Sequence, residues 1–280
     1  MRVVRAQHAG ACYGVQRALD LACAAADGAA PVVTFGPLIH NPQVVAELAE
    51  RGAVAVGSID DARGKVAVIR SHGALPAERR QLQAVAADVV DATCPHVARA
   101  QMAAAELAKR GCHVLVVGEA GHPEVESLVA YAQEAGAAVD VVAGADEVPR
   151  QLAGPVGVVV QTTQTREALD AVVAELASRG IDPVVKNTIC SATRQRQKTA
   201  SQLASEADAM VVIGGRNSSN TTRLAEICAE RCPRTFHIES ADELDAGALA
   251  GCAVVGVTAG ASTPESQIAA VVAHLEALGA

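Results

Sequence analysis

Aromatic side chains are nearly missing: two Phe, two Tyr and no Trp in 280 residues. The core must then be assembled from Ala, Val and Leu. Little ring surface is left for bases to stack on, which argues against binding of single-stranded nucleic acid. Positive charge is also scarce, with 23 Lys and Arg against 31 Asp and Glu and a formal net charge of −8. That balance disfavours a general binder of nucleic acid or of an anionic membrane, so an anionic ligand needs a local exception to the field. No apolar run approaches the ~20 residues of a membrane span. The opening MRVVRAQHAGACYGV lacks the long apolar segment of a secretory signal. The expectation is a cytoplasmic protein with no membrane and no nucleic-acid partner. Several motifs are absent as well. Without GxGxxG or GxxxxGK[ST] there is no dinucleotide fingerprint and no P-loop, and without CxxC or HExxH the usual zinc spacings are missing.

Half the residues are apolar, so a core is easily buried, in one large domain or two to three small ones. Short apolar runs at 32–35, 66–69, 114–117, 139–142, 157–160, 209–213 and 252–257 read as strands, and Val89-Val90 and Val184-Val185 mark two more. Helical spacing follows most of them, as at 76–85 and 166–179. Strands and helices alternating along the whole chain are the α/β signature. Nearly every polar cluster falls where a strand ends and a helix begins. The segment around which the rest is organised is GEAGHPEVE, 118–126, read as a tight loop with helix from 126 to 133. A loop leaving a buried strand is a usual place for α/β chemistry.

In a reducing compartment disulfides are rare, so the eight cysteines await metal ligation, catalysis or plain burial. Cys12, Cys94 and Cys190 each stand between an apolar run or glycine turn and a helix start, where the helix dipole favours the thiolate. Their spacing is about that of a small α/β unit. Three similar units are therefore expected around a common centre: 1–94 carrying Cys12, 95–189 with Cys94 at its start, and 190–280 opening on Cys190. Three such thiolates could hold zinc or an iron–sulfur cluster, or could simply be small buried residues. Cys23, Cys112, Cys228, Cys232 and Cys252 lie within helix or strand patterns and read as structural, with Cys228 and Cys232 four apart on one helix. His40, His72 and His122 sit in turns after strands, as binding groups or as solvated side chains. NSSN at 217–220 and GAST at 260–263 offer hydroxyls and amides at helix starts, which suits an anion or ordinary N-capping.

Taken in order, G-x-C-x-G-V at 10–15, His40-Asn41, Ser71-His72-Gly73, DATCP at 91–95, GHPEVE at 121–126, Gln161-Thr162-Thr163, ICxAT at 189–193, NSSN and VTAGAS at 257–262 form a specific set. By it the chain resembles, nearly end to end, the 4-hydroxy-3-methylbut-2-enyl diphosphate reductase (LytB or IspH) family. The resemblance implies an α/β fold of three pseudo-symmetric units in a trefoil around a central [4Fe–4S] cluster. It implies that Cys12, Cys94 and Cys190 are the only protein ligands, which leaves one iron for the substrate's hydroxyl oxygen. His40, His72, His122, Ser218, Ser219, Asn220 and Ser262 would hold the diphosphate of a small allylic substrate. Thr162 and Glu124 would bond its hydroxyl end, with Glu124 as proton source, and His122 would count with them among the catalytic residues. The products would be isopentenyl and dimethylallyl diphosphate, the last step of the non-mevalonate pathway. No nicotinamide motif is present, so electrons are expected from a separate ferredoxin or flavodoxin.

The chain departs from the family's usual pattern at four places: Tyr13, Ser127-Leu128-Val129 after GHPEVE, Gln164-Thr165-Arg166 and Ser191. All flank the expected site, so they bear on substrate identity more than on the cluster. A paralogue reducing another allylic alcohol is one alternative. A non-catalytic iron–sulfur redox protein is a second, although a sensor needs no proton donor. A zinc hydrolase using His and Glu is a third, disfavoured by the missing spacings.

Overall fold

Apolar runs of four to six residues become the inner strands of three parallel sheets. In the computed structural model, which describes residues 1–244 and 246–279, the first sheet takes β2 (Val32–Phe35), β3 (Ala53–Val56), β4 (Val66–Ile69) and β5 (Asp88–Asp91), in the order β3-β2-β4-β5. The second takes β6 (His113–Val117), β7 (Val139–Val142), β8 (Val156–Val160) and β9 (Val184–Lys186), in the order β7-β6-β8-β9. The third takes β10 (Ala209–Ile213), β11 (Thr235–Ile238), β12 (Val254–Ala259) and β1 (Arg2–Arg5), in the order β1-β12-β10-β11. Every neighbouring pair is parallel. Counted from its own first strand, with β1 as the fourth of its set, each sheet has the order 2-1-3-4. The three sheets thus repeat one design.

The crossovers are α1 (Tyr13–Ala26), α2 (Pro42–Glu50), α3 (Pro76–Val85), α4 (Pro95–Lys109), α5 (Pro123–Glu134), α6 (Arg166–Ser178), α7 (Ser191–Ala204), α8 (Ser219–Ala229) and α9 (Glu265–Gly279). Four of them open on a proline, whose missing N–H costs nothing at a helix start. Helices cover both faces of the second and third sheets, which is why their inner strands are apolar without alternation. In the second sheet Val114, Val116 and Val159 pack on one face with Leu107 of α4 and Val125 and Leu128 of α5. Leu115, Val117, Val158 and Val160 pack on the other with Leu169, Val172 and Leu176 of α6. Each such side chain contributes about 2 kcal/mol by leaving water. Gly157 lets α4 close onto the sheet, since a Cβ there would meet Leu107 at 2.9 Å.

Four details differ from the sequence reading. β3 and β11 are strands that the apolar runs did not reveal. β1 opens the 1–94 stretch but pairs with β12 in the third sheet. Its arginines stand at both ends of a half-exposed strand, which suits an edge. α5 begins at Pro123, so Glu124 lies in a first helical turn and not in a loop. Cys232 lies beyond the end of α8, so it does not share that helix with Cys228. By contact density the chain forms two compact units, Met1–Gln16, His40–Val44 and Ser191–Ala280 in one, Arg17–Ile39 and Val45–Cys190 in the other. No helix among the described residues is long and apolar enough to cross a membrane.

Candidate active site

In a parallel sheet of order 2-1-3-4 the crossovers leave the first and third strands in opposite directions, and a crevice opens at their carboxyl ends. Those strands are β2 and β4, β6 and β8, β10 and β12. The loops that follow them carry His40, Ser71-His72-Gly73, His122, Thr162, Ser218 and Ser262. The topology alone therefore gathers the polar clusters at strand ends.

In the larger unit the expected residues form one connected run. Cys94 donates its amide to the Ser71 carbonyl at 2.9 Å, beside His72. The His72 ring meets the His122 ring edge-on, centroids 5.7 Å apart. His122 caps α5, its Nδ1 accepting the Glu124 amide at 3.1 Å. The Glu124 carboxylate accepts the Thr162 amide at 2.6 Å and the Thr162 hydroxyl at 2.8 Å. Thr162 in turn accepts the Cys190 amide on its carbonyl at 3.0 Å. The acid is thus tied to β8 by two bonds and to its own helix by a third element, Ser127. The Ser127 hydroxyl donates to the Glu124 carbonyl at 2.7 Å and accepts from Gln101 at 3.0 Å. Gln101 lies against Gly73, whose φ of 81° needs glycine and where a Cβ would stand 2.3 Å from the Gln101 amide nitrogen.

The electrostatics of this run are set by burial. Glu124 is 1% exposed. Burial pushes its pKa up to about 7, and the Thr162 bonds, which favour the carboxylate, offset this only in part while Glu119 adds like charge. Burial, with Arg70 nearby, pushes His122 down to about 4. It is therefore neutral near pH 7, and because Nδ1 accepts an amide its proton sits on Nε2. The folded chain holds a proton on Glu124 that the unfolded chain, with an ordinary carboxyl near 4.5, has released. That stabilising contribution is present below about pH 4.5 and is lost as pH rises through about 7. Thermal unfolding of the wild type and of Glu124→Gln checks this. The melting temperature of the variant relative to wild type should rise by several degrees between about pH 5 and pH 8. A difference that stays constant with pH would mean that the proton is not held.

The smaller unit holds the remaining residues in a second connected run. Cys12 donates its amide to Ala261 at 3.1 Å. The neighbouring Ser262 hydroxyl donates to the His40 carbonyl at 3.0 Å. Asn41 caps α2 with its Oδ1 and donates its Nδ2 to the Ser262 carbonyl and to Gln267, each at 3.0 Å. A Cβ on Gly215 would meet that same His40 carbonyl at 2.8 Å, and Gly215 accepts the Ser218 amide at 3.0 Å. Ser218 then caps α8, with Ser219 and Asn220 in its first turn, all three buried. Asn220 Nδ2 is buried without a hydrogen-bond partner, the kind of donor that a ligand oxygen satisfies.

The three cysteines suit a cluster by their chemistry. Each immediately precedes the first residue of a helix, α1, α4 or α7, and each is partly exposed. Cys112, Cys228, Cys232 and Cys252 are buried, and burial beside Cys232 pushes the Cys228 thiol up to about 12. Cys23 is partly exposed but lies in the last turn of α1, not before a helix start. Among the described residues no three His, Cys, Asp or Glu side chains gather on one metal ion. Cysteines that each hold a different iron of a cluster need not converge on a single point.

Sequence reasoning did not single out several residues that build the site. Arg70, which sets the charge beside His122, sits next to Ser71-His72 and was within reach of inspection. Arg196 is 4% exposed and donates to the Gly10 carbonyl at 2.6 Å, which anchors the Cys12 loop. Gln101 is a buried amide on α4, whereas Gln161, named in the motif with Thr162 and Thr163 but given no role there, accepts the Glu119 amide at 2.9 Å. No spacing rule marks such residues.

These features define an α/β protein of three parallel sheets whose strand ends gather thiols, histidines and one buried acid. The chain belongs to the LytB family, whose model, described as LytB protein, matches residues 3–276. It is 48% identical over 267 residues to the 4-hydroxy-3-methylbut-2-enyl diphosphate reductase of Trichlorobacter lovleyi, covering 95% of this chain and 94% of that one. The like-named protein of Citrifermentans bemidjiense is 46% identical, with 99% and 98% covered. A solved structure of (E)-4-hydroxy-3-methyl-but-2-enyl diphosphate reductase, described as the terminal enzyme of the non-mevalonate pathway, matches at 39% identity with a TM-score of 0.72, covering 99% of this chain and 100% of that one. A reductase structure from Plasmodium falciparum, at 23% identity and a TM-score of 0.90 over 97% of this chain and 86% of that one, shares the fold.

Proposed function

We propose that the chain reduces 4-hydroxy-3-methylbut-2-enyl diphosphate to isopentenyl and dimethylallyl diphosphate. Family membership and the names of relatives at 46–48% identity support the substrate. The reaction consumes two electrons and two protons per substrate. One proton leaves with the hydroxyl oxygen as water, and the other ends on carbon. A [4Fe–4S] cluster held by Cys12, Cys94 and Cys190, when bound, supplies the electrons one at a time and a Lewis acid for the leaving oxygen.

The side chains do the rest. His40, His72, His122, Ser218, Ser219, Asn220 and Ser262 hold the diphosphate, mostly as neutral donors, which fits a chain of net charge −8. This remote binding energy orients the hydroxyl end. Thr162 positions the leaving oxygen, and Glu124 delivers the proton to it. The observation that carries the reading is the Glu124–Thr162 pair: a fully buried carboxyl, raised to about 7, held by two bonds at the end of β8. An acid in that range is protonated enough to give a proton near neutral pH.

Anaerobic turnover of this substrate by cluster-reconstituted protein, driven by reduced methyl viologen, tests the proposal. Conversion to the two five-carbon diphosphates is expected. A brown, iron-loaded protein that leaves the substrate untouched would redirect the search to another allylic alcohol.

A further inference from the structure

One face of α4 and the β9 segment enclose a groove of about 690 Å³. Arg99, Met102, Glu106 and Lys109 line it from the helix, at the three- and four-residue spacing of a single face. Val185, Lys186, Asn187 and Thr188 line it from the other side. Its centre is apolar and exposed: Met102 is 71% and Val185 39% accessible, with Val184 beside it at 37%. Those are three of the seven large apolar side chains that stand exposed among the described residues. β9 is an edge strand, paired on one side only. The rim is cationic. Glu106, the single carboxylate, is taken by Lys186 at 3.0 Å and by Arg110. Arg99 and Lys109 are exposed, and among the described residues no carboxylate pairs with either. This is a local excess of positive charge on a chain of net charge −8.

The groove lies along both cysteine-bearing segments of the larger unit. α4 starts directly after Cys94, and Thr188 stands two residues before Cys190. We propose that it is the docking surface for an acidic one-electron carrier protein. This rests on the reductase reading, under which two electrons must arrive from outside because the chain has no nicotinamide fingerprint. Two reduced carriers dock in turn, each gives up one electron and leaves oxidised. An acidic carrier is repelled by the net field elsewhere and steered here, and an apolar centre with a charged rim is the anatomy of such transient interfaces. A second copy of this acidic chain is a poorer fit to a cationic rim.

The test pairs wild type with the Arg99→Glu/Lys109→Glu double variant, both cluster-loaded. A plant-type ferredoxin of acidic composition is the protein donor, and methyl viologen is the small donor. The double variant should raise the KM for ferredoxin, and its Kd by calorimetry, about tenfold or more, and added salt should narrow that gap. Viologen-driven turnover and iron content should stay within about twofold of wild type, since neither depends on docking. Unchanged KM and Kd would overturn the groove alone. Loss of a wild-type dimer in the double variant, seen by sedimentation, would overturn it in favour of self-association. No viologen-driven turnover in wild type would overturn the reductase reading, and the groove proposal with it.

Discussion

Glu124→Gln will keep the fold and lose turnover by about two to four orders of magnitude, the range that a positioned general acid supplies. The substitution is close to neutral in shape. Its amide oxygen can still accept the Thr162 amide that Glu124 accepts at 2.6 Å. Its NH2 can donate to the Thr162 hydroxyl, which rotates from donor to acceptor. The Ser127 bond to the helix carbonyl does not involve the side chain at all. What the variant lacks is the proton. If the diphosphate is held as proposed, by groups other than the Glu124 carboxylate, the loss should fall on kcat and leave KM near its wild-type value. In wild type, kcat should decline as pH rises through about 7, where burial places the ionisation of Glu124. That descending limb should be absent from whatever activity the variant retains. Full activity in the variant would remove Glu124 as the acid and with it the central role assigned to Thr162.

The inner strands were legible in the sequence because burial on both faces demands unbroken apolar runs. β6 and β8 are buried at every position and were read almost to the residue. The edge strands carry no such demand. β3, AVAV, and β11, TFHI, are half-exposed and only four residues long, so nothing sets them apart from a loop. The start of α5 was misplaced for another reason. GHPEVE looks like a turn by composition, but Pro123 occupies the first helical position and His122 caps it. The consequence is functional, since a helix fixes Glu124 against Thr162 where a loop would leave it loose. Cysteines before helices were legible from the strand-to-helix punctuation. Arg196 and Gln101 were not, because their partners lie more than twenty residues away along the chain.

The structure also says what the departures from the family pattern do. Ser127 and Leu128 are fully buried, the first bonded to Gln101 and the second packed in the α4–α5 core. They settle how the two helices meet and do not present new groups to a ligand. Thr165 caps α6 through a 3.1 Å bond from Ala168, and Arg166 pairs with Asp170 one turn on. Tyr13 points outward, 73% exposed, and Ser191 is an exposed helix start. Ser127, Leu128, Thr165 and Arg166 thus belong to helix packing, capping and pairing, which weakens the case for a different substrate that their proximity in sequence had raised; nothing in the structure explains Tyr13 beside Cys12.

Cys94→Ser will leave a folded protein that has lost most of its iron and sulfide. Turnover should fall more than about 100-fold, beyond what loss of an outer partner of a metal ligand costs. Serine is a better residue than cysteine at that position for the helix itself. It would cap α4 by accepting an amide in the first turn, worth up to about 1 kcal/mol. The backbone bonds on either side, to the Ser71 carbonyl and from the Ala98 amide, both at 2.9 Å, are unaffected. Melting temperature measured without iron should therefore hold or rise slightly. Cys228→Ser should give the opposite signature. Its thiol is wholly buried, and a hydroxyl placed there without a designed partner costs about 1–3 kcal/mol. That variant should melt earlier and keep its iron. Stability and iron content would then separate the two kinds of cysteine on independent axes: one set placed at helix starts for a ligand, the other filling the core. Unchanged iron in Cys94→Ser would take Cys94 out of the ligand set. The connected run from Cys94 through His72 and Glu124 to Cys190 would then need another explanation.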